Sequence, residues 1–135
     1  MGKNVKKRVT IRPRRIQVER ADFTDLQGPR VTAEMVRRML TQEGPRTISY
    51  MHRRVKRHYK EIGYPHRAPT YASFHVFVKT LETAGLVRAG EQGAKVPRVG
   101  LDVNYRYWEL VPENAASPDW QNATAARRRI QAARA

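Results

Sequence analysis

The chain has 135 residues, contains no cysteine and carries a formal net charge of +15. This length allows one compact domain with terminal extensions. The absence of cysteine excludes disulfide bonds, thiolate metal sites and a cysteine nucleophile. No apolar run approaches the roughly 18 residues that a membrane-spanning helix requires. A sequence pI of about 11.1 is typical of proteins that bind polyanions, above all nucleic acids.

The positive charge is concentrated in the first half of the chain. Residues 1–67 carry 18 basic and 6 acidic side chains, whereas residues 68–135 carry 9 and 6. Residues 1–30 are therefore predicted to form a basic N-terminal arm. We expect this arm to follow the DNA backbone or the minor groove through Arg12, Arg14 and Arg15. No apolar segment of a secretory signal follows the basic N-terminus, so we expect a cytoplasmic, nucleoid-associated location, or a virion-internal one if the protein is viral.

Two amphipathic helices are predicted at the start of the folded core, which spans residues 31–111. The first covers about 33–43 with Thr32 as its N-cap, and the second covers about 48–62 with Thr47 as its N-cap. Apolar residues recur every three or four positions in the second helix, so it has one buried stripe. Its opposite face carries only basic residues, which are Arg53, Lys56, Arg57 and Lys60. This face is either a phosphate-binding ridge or an ordinary solvated surface.

A third helix is predicted over about 71–84, with Thr70 as its N-cap and Gly85 at its end. Its side away from the apolar stripe has no acid before Glu82, and it consists of Ala72, Ser73, His75, Val76, Lys79, Thr80 and Thr83. Such a face can enter a major groove without charge conflict. It can equally be an ordinary solvent face.

Two extended segments follow the third helix. Residues 86–89 form a short predicted strand, residues 90–100 a loop, and residues 101–111 a strand with period-2 alternation. Together they predict an antiparallel hairpin with a long basic tip. Residues 112–135 are interpreted as a linker and an Arg-rich tail, in which Trp120 is a candidate to dock back on the core. The Ala-rich helix after Trp120 is too short to be stable alone and would form on a partner or not at all.

The predicted order, three helices followed by a hairpin, resembles that of the winged helix-turn-helix superfamily. Two segments of the sequence carry this resemblance. The segments are residues 74–87 (FHVFVKTLETAGLV) and residues 105–111 (YRYWELV). The resemblance implies an α+β, mainly α fold with a two-stranded wing, a third helix that reads the major groove, and a wing that touches the DNA. Transferred by position, it makes Tyr71, Ser73, His75 and Lys79 groove-facing residues, and Lys95 and Arg98 wing contacts. The second helix, the loop at 63–69 and the wing tip are longer than is usual in the family.

The sequence shows no pattern typical of an enzyme, a metal site or a cofactor site. The four histidines have no metal-binding spacing, and there is no Gly-rich phosphate loop. Tyr64 and Tyr71 are the best candidates for stacking on unpaired bases.

Our first hypothesis is a double-stranded DNA-binding protein that acts as a small transcription regulator. A homodimer is one oligomeric state that this hypothesis allows, and we expect no membrane partner. Its expected phosphate contacts are Arg46, Arg53, Arg57, Lys60, Lys95 and Arg98. One alternative is a ribosome- or ribonucleoprotein-associated RNA-binding protein, because basic ends on a small core are typical of proteins that enter folded RNA. A second alternative is a winged-helix module that binds an acidic protein.

Overall fold

The computed structural model describes residues 20–90, 95–98, 101–104 and 106–134. These residues form an α+β fold that is mainly helical, as the sequence predicts. The helices and strands follow one another in the order α1 (Thr32–Glu43), β1 (Arg46–Thr47), α2 (Ile48–Glu61), α3 (Tyr71–Thr83), β2 (Val87–Ala89), β3 (Lys95–Arg98), β4 (Leu101–Asn104), β5 (Tyr107–Leu110) and α4 (Ala123–Arg134). Short 3-10 turns lie at Pro65–Arg67, Pro112–Asn114 and Pro118–Gln121.

Helices α2 and α3 begin at the residues that the sequence predicts. The Thr47 and Thr70 hydroxyls accept the backbone N–H three residues later, at 3.2 and 3.1 Å. Each bond satisfies one of the N–H groups that a helix start leaves without a partner. The chain leaves these helices through Gly63 and Gly85, whose φ angles of +88° and +81° lie in the left-handed region that glycine adopts at little cost.

Helix α1 begins differently, and the prediction that Thr32 is its N-cap is wrong. Val31 occupies the N-cap and offers no side-chain acceptor. The Tyr59 hydroxyl of α2 accepts the Val31 N–H at 3.1 Å and lies 2.9 Å from the Thr32 hydroxyl. A tertiary contact therefore replaces the local cap, and it ties the start of α1 to α2.

Strand β5 is the centre of a three-stranded antiparallel sheet with the order β1-β5-β2. Its Trp108 lies opposite Arg46 on one side and Ala89 on the other. Strands β3 and β4 form a separate antiparallel ladder. The prediction of a loop at 90–100 and one strand at 101–111 is therefore wrong. Pro97 suggested a loop, but in a two-stranded ladder a proline can occupy an edge that needs no donor.

The core lies between α1, α2, α3 and the three-stranded sheet. Its largest fully buried side chains include Met35, Met39, Met51, Tyr59, Phe74 and Trp108. With Val55, Val78 and Leu81, which are also fully buried, the core residues of each helix recur every three or four positions and so lie on one face. The opposite faces of α2 and α3 are consequently left to solvent.

Residues 20–30, which the sequence assigns to the basic arm, are anchored to this core. Ala21 and Phe23 are buried. The His58 Nε2 of α2 donates to the Leu26 carbonyl at 2.6 Å. The described part of the predicted arm therefore belongs to the folded unit.

A buried carboxylate at the end of α1 holds this anchor in place. Glu43 Oε2 accepts the Ala21 N–H at 2.7 Å and Arg54 Nη1 at 2.8 Å, and Oε1 accepts the Tyr50 hydroxyl at 2.5 Å. The Arg54 guanidinium lies 5.0 Å from the centroid of the Phe23 ring. Burial favours the neutral acid, but the hydrogen bonds from Tyr50, Arg54 and the Ala21 N–H outweigh burial, and the pKa of Glu43 is lowered.

The C-terminal segment is folded onto the core rather than extended as a linker and tail, and the expected docking of Trp120 is confirmed. Trp120 is buried, and its Nε1 donates to the Asn114 carbonyl at 3.0 Å. Ala123 and Ala126 are the buried residues of α4, which packs against α3. The prediction that this helix forms only on a partner is wrong, because α3 of the same chain provides the apolar surface.

Candidate nucleic-acid interface

Four basic side chains form a ridge along the solvent side of α2. Arg53, Lys56, Arg57 and Lys60 are all exposed. Among the residues that the structure describes, none of these four forms an ion pair or a hydrogen bond. Glu61, four residues after Arg57, is the acid that borders this α2 ridge. Cations without internal partners are available to phosphate oxygens, which supply most protein–DNA hydrogen bonds.

The solvent side of α3, which we call the α3 face, consists of Ala72, His75, Val76 and Lys79. Glu82 borders it, but its carboxylate lies 3.1 Å from Lys79 Nζ and is thereby neutralised. Lys79 Nζ also lies 5.5 Å from the centroid of the Trp108 ring. The middle of the α3 face, at Ala72 and Val76, therefore presents small apolar groups, and among the described residues the acid that borders this face is paired with Lys79.

The α2 ridge and the start of α3 are held beside each other by aromatic contacts. The His52 ring meets the Tyr71 ring edge-on, with centroids 5.6 Å apart. His52 Nε2 donates to the Pro69 carbonyl, just before α3, at 2.9 Å. Lys56 follows His52 by one helical turn, so Lys56 is the ridge residue on the side of α2 that faces the first turn of α3.

Helix α4 covers the other flank of α3. Thr80, which the sequence assigns to the exposed side of α3, is buried instead. Its hydroxyl donates to the Val76 carbonyl at 3.1 Å, and Arg127 Nη1 of α4 lies 3.5 Å from that hydroxyl. Arg127 Nε is buried without a hydrogen-bond partner among the described residues. The half-buried Arg127 therefore places a positive charge beside the flank of α3.

Sequence reasoning assigned no role to Arg127 because it interpreted residues 112–135 as a linker and a tail. A signal for the docked helix was present. Ala123, Ala126 and Ile130 recur at steps of three and four, directly after Trp120. This spacing gives α4 one apolar stripe.

Arg46 was predicted to contact phosphate, but it takes part in the network around Glu43. Its Nε lies 3.5 Å from Glu43 Oε1, and its guanidinium stacks over the Tyr50 ring at 5.1 Å from the centroid. Arg46 is therefore engaged inside the fold, unlike the residues of the α2 ridge.

Of the other predicted contacts that the structure describes, Arg53, Arg57 and Lys60 lie on the α2 ridge, and His75 and Lys79 lie on the α3 face. Tyr71 and Ser73 are exposed in the first turn of α3, where the Ser73 N–H is occupied by the Thr70 cap. Lys95 and Arg98 are the first and last residues of β3, and their side chains lie outside the described part. Outside it as well are the arm residues Arg12, Arg14 and Arg15.

Within the described residues, no three His, Asp or Glu side chains are grouped so that they could bind a metal ion. No described helix is both long and apolar enough to cross a membrane. Comparison of the chain with protein-family models, with curated proteins and with solved structures finds no match.

Proposed function

We propose that this chain is a winged helix-turn-helix protein that binds double-stranded DNA through α3 and acts as a small transcription regulator. The order α1, α2, α3 and then antiparallel strands is the order of that superfamily. The observation that carries the proposal is the α3 face itself. Among the described residues, the acid that borders this face is paired with Lys79, and the cations of α2 that flank it have no partner; Arg127 of α4 lies on its other flank.

The positions of these groups give each of them a different role in DNA binding. Arg53, Arg57 and Lys60, with Lys56, bind phosphates of one strand and fix the register of α3 on the duplex. Helix α3 then enters the major groove, which accommodates an α-helix. A-form RNA has a deep, narrow major groove that side chains cannot read, so this geometry favours DNA over duplex RNA.

The test compares two double variants that remove the same charge. Arg53→Gln/Arg57→Gln removes two free cations of the α2 ridge. Arg37→Gln/Arg129→Gln removes two arginines that are already paired, with Glu34 and Asp119. The readout is fluorescence anisotropy with a labelled 30-base-pair duplex over a series of salt concentrations.

We expect the ridge variant to bind more weakly at every duplex sequence. Each lost phosphate contact flattens the plot of log affinity against log salt by about 0.9, so two contacts flatten it by about 1.8. The control variant is expected to change the slope by less than half of that. Equal losses in both variants would mean that net charge alone drives binding. Absence of duplex binding, or tighter binding to an RNA duplex of the same sequence, would refute the proposal.

The regulator part of the proposal needs sequence preference. Selection from a random duplex library at physiological salt should enrich one motif. Uniform recovery of the library would contradict a regulator, even if the duplex binds.

A further inference from the structure

Val76 stands at the centre of the α3 face, and 61% of its surface is exposed. Among the described residues, Val76 and Tyr71 are the large hydrophobic side chains that are exposed, and both belong to α3. The ring of Tyr71 packs edge-on against the ring of His52, so the fold uses part of its surface. Val76 is more exposed than Tyr71, at 61% against 48%, and valine is a weaker helix former than the polar residues that usually occupy exposed helix positions. Its isopropyl group is therefore an exposed apolar feature that the fold itself does not use.

The surroundings of Val76 leave this group free to meet a partner. Ala72 lies one turn earlier on the same face and adds a second methyl group. Lys79, on the following turn, directs its ammonium group to Glu82 and the Trp108 ring. Thr80 turns its hydroxyl inward, to the Val76 carbonyl. A small apolar patch thus lies inside a surface that is otherwise positive.

The charge and the apolar patch of this surface indicate which ligand it fits. Cations on both flanks of α3 match the two phosphate backbones that border a groove. Within the major groove, the only apolar group on a base edge is the C5 methyl group of thymine. Val76 and Ala72 together are too small for a stable protein interface, which needs about 800 Å² from each partner.

We propose that Val76, supported by Ala72, contacts the C5 methyl group of a thymine, so that this chain selects DNA with thymine opposite the middle of α3. This inference rests on the proposed function and names its specificity. Burial of one methyl group changes affinity by about four-fold.

The experiment uses two duplex pools of the same random sequences, one made with thymine and one with uracil, which lacks only the methyl group. The full-length protein binds both pools in competition. We expect a preference of about four-fold for the thymine pool. Val76→Ala should reduce this preference, because it removes two of the methyl groups that meet the thymine, while α3 stays folded, because alanine is the better helix former. His75→Ala, on the same face, should weaken binding in general but keep the preference.

Two results would overturn the inference while the proposed function stands. One is duplex binding by the wild type with equal affinity for both pools. The other is a thymine preference in Val76→Ala that is as large as in the wild type. If Val76→Ala instead changes the molar mass in solution and the pools bind equally, Val76 serves self-association. Absence of any duplex binding refutes the proposed function as well as this inference.

Discussion

Replacement of Glu43 by glutamine tests the network that ties residues 20–23 to the helical core. Glutamine keeps the shape of glutamate but removes the negative charge. The Glu43 side chain is 1% exposed and that of Arg54 is 12% exposed, so water cannot replace the missing counter-ion. We therefore expect Glu43→Gln to destabilise the fold far more than loss of a surface ion pair would.

The magnitude follows from the three hydrogen bonds that the carboxylate accepts, from Ala21, Tyr50 and Arg54. A hydrogen bond to a charged group contributes about 1 kcal/mol more than a neutral one. Loss of the charge on three bonds therefore costs about 3 kcal/mol. This value lies at the lower end of the roughly 3–5 kcal/mol measured when one partner of a buried pair is removed. It corresponds to a fall in Tm of about 10 °C.

Urea unfolding at pH 7 measures this cost. Trp108 and Trp120 are both buried, so their fluorescence reports unfolding of the sheet and of the C-terminal segment. The control is Glu34→Gln, which breaks two partly exposed pairs with Arg37 and Arg38 and should cost about 1 kcal/mol or less. A loss of stability in Glu43→Gln no larger than in this control would refute the reasoning.

The same network predicts the direction of the pH dependence. The folded state lowers the pKa of Glu43 below its ordinary value of 4.5. Its stabilisation is therefore complete above that value and is lost as the pH falls through the folded-state pKa. Arg37 lowers the pKa of Glu34, and Arg38 lowers that of Asp25 to about 2. Protonation of these two acids at low pH therefore also destabilises the fold. The difference between wild type and Glu43→Gln isolates Glu43 and should shrink below pH 4.5; a constant difference would contradict the assignment.

Two further substitutions test the C-terminal segment and a helix end by the same urea unfolding. Trp120→Ala should cost about 3–5 kcal/mol, because it empties a buried aromatic site, and circular dichroism should show the loss of α4; unchanged helicity would contradict the docking. Gly85→Ala should cost about 1–2 kcal/mol, since φ at this position is +81°. Gly28→Ala, where a Cβ meets nothing within 4 Å, should be nearly neutral, and equal costs at the two glycines would show that backbone strain is not the cause.

The features that the sequence predicts correctly are local ones. Thr47 and Thr70 cap their helices through bonds that span three residues. The apolar stripe and the basic ridge of α2 follow from helical periodicity within one segment. A winged-helix arrangement and its DNA contacts are proposals that such patterns support, and they await the binding experiments.

The features that the sequence analysis missed depend on distant partners. The start of α1 is held by Tyr59, 28 residues from Val31, and α4 forms against α3. The burial of Glu43 could have been predicted, because Glu43 continues the buried series Met35 and Met39 at steps of four. An acid on a buried helix face needs a buried positive partner, but the pattern alone cannot choose Arg54 among so many arginines.

Two neighbouring residues show what the net charge of +15 conceals. Arg53 and Arg54 are identical in type, but adjacent helix positions differ by about 100° in direction. Arg54 therefore turns into the fold and meets Glu43, Tyr50 and the Ala21 carbonyl. Arg53 turns to solvent and has no partner among the described residues. Composition counts both residues alike, whereas the fold uses one as an anchor and leaves the other in solvent, which is why net charge alone does not say which arginines could contact a polyanion.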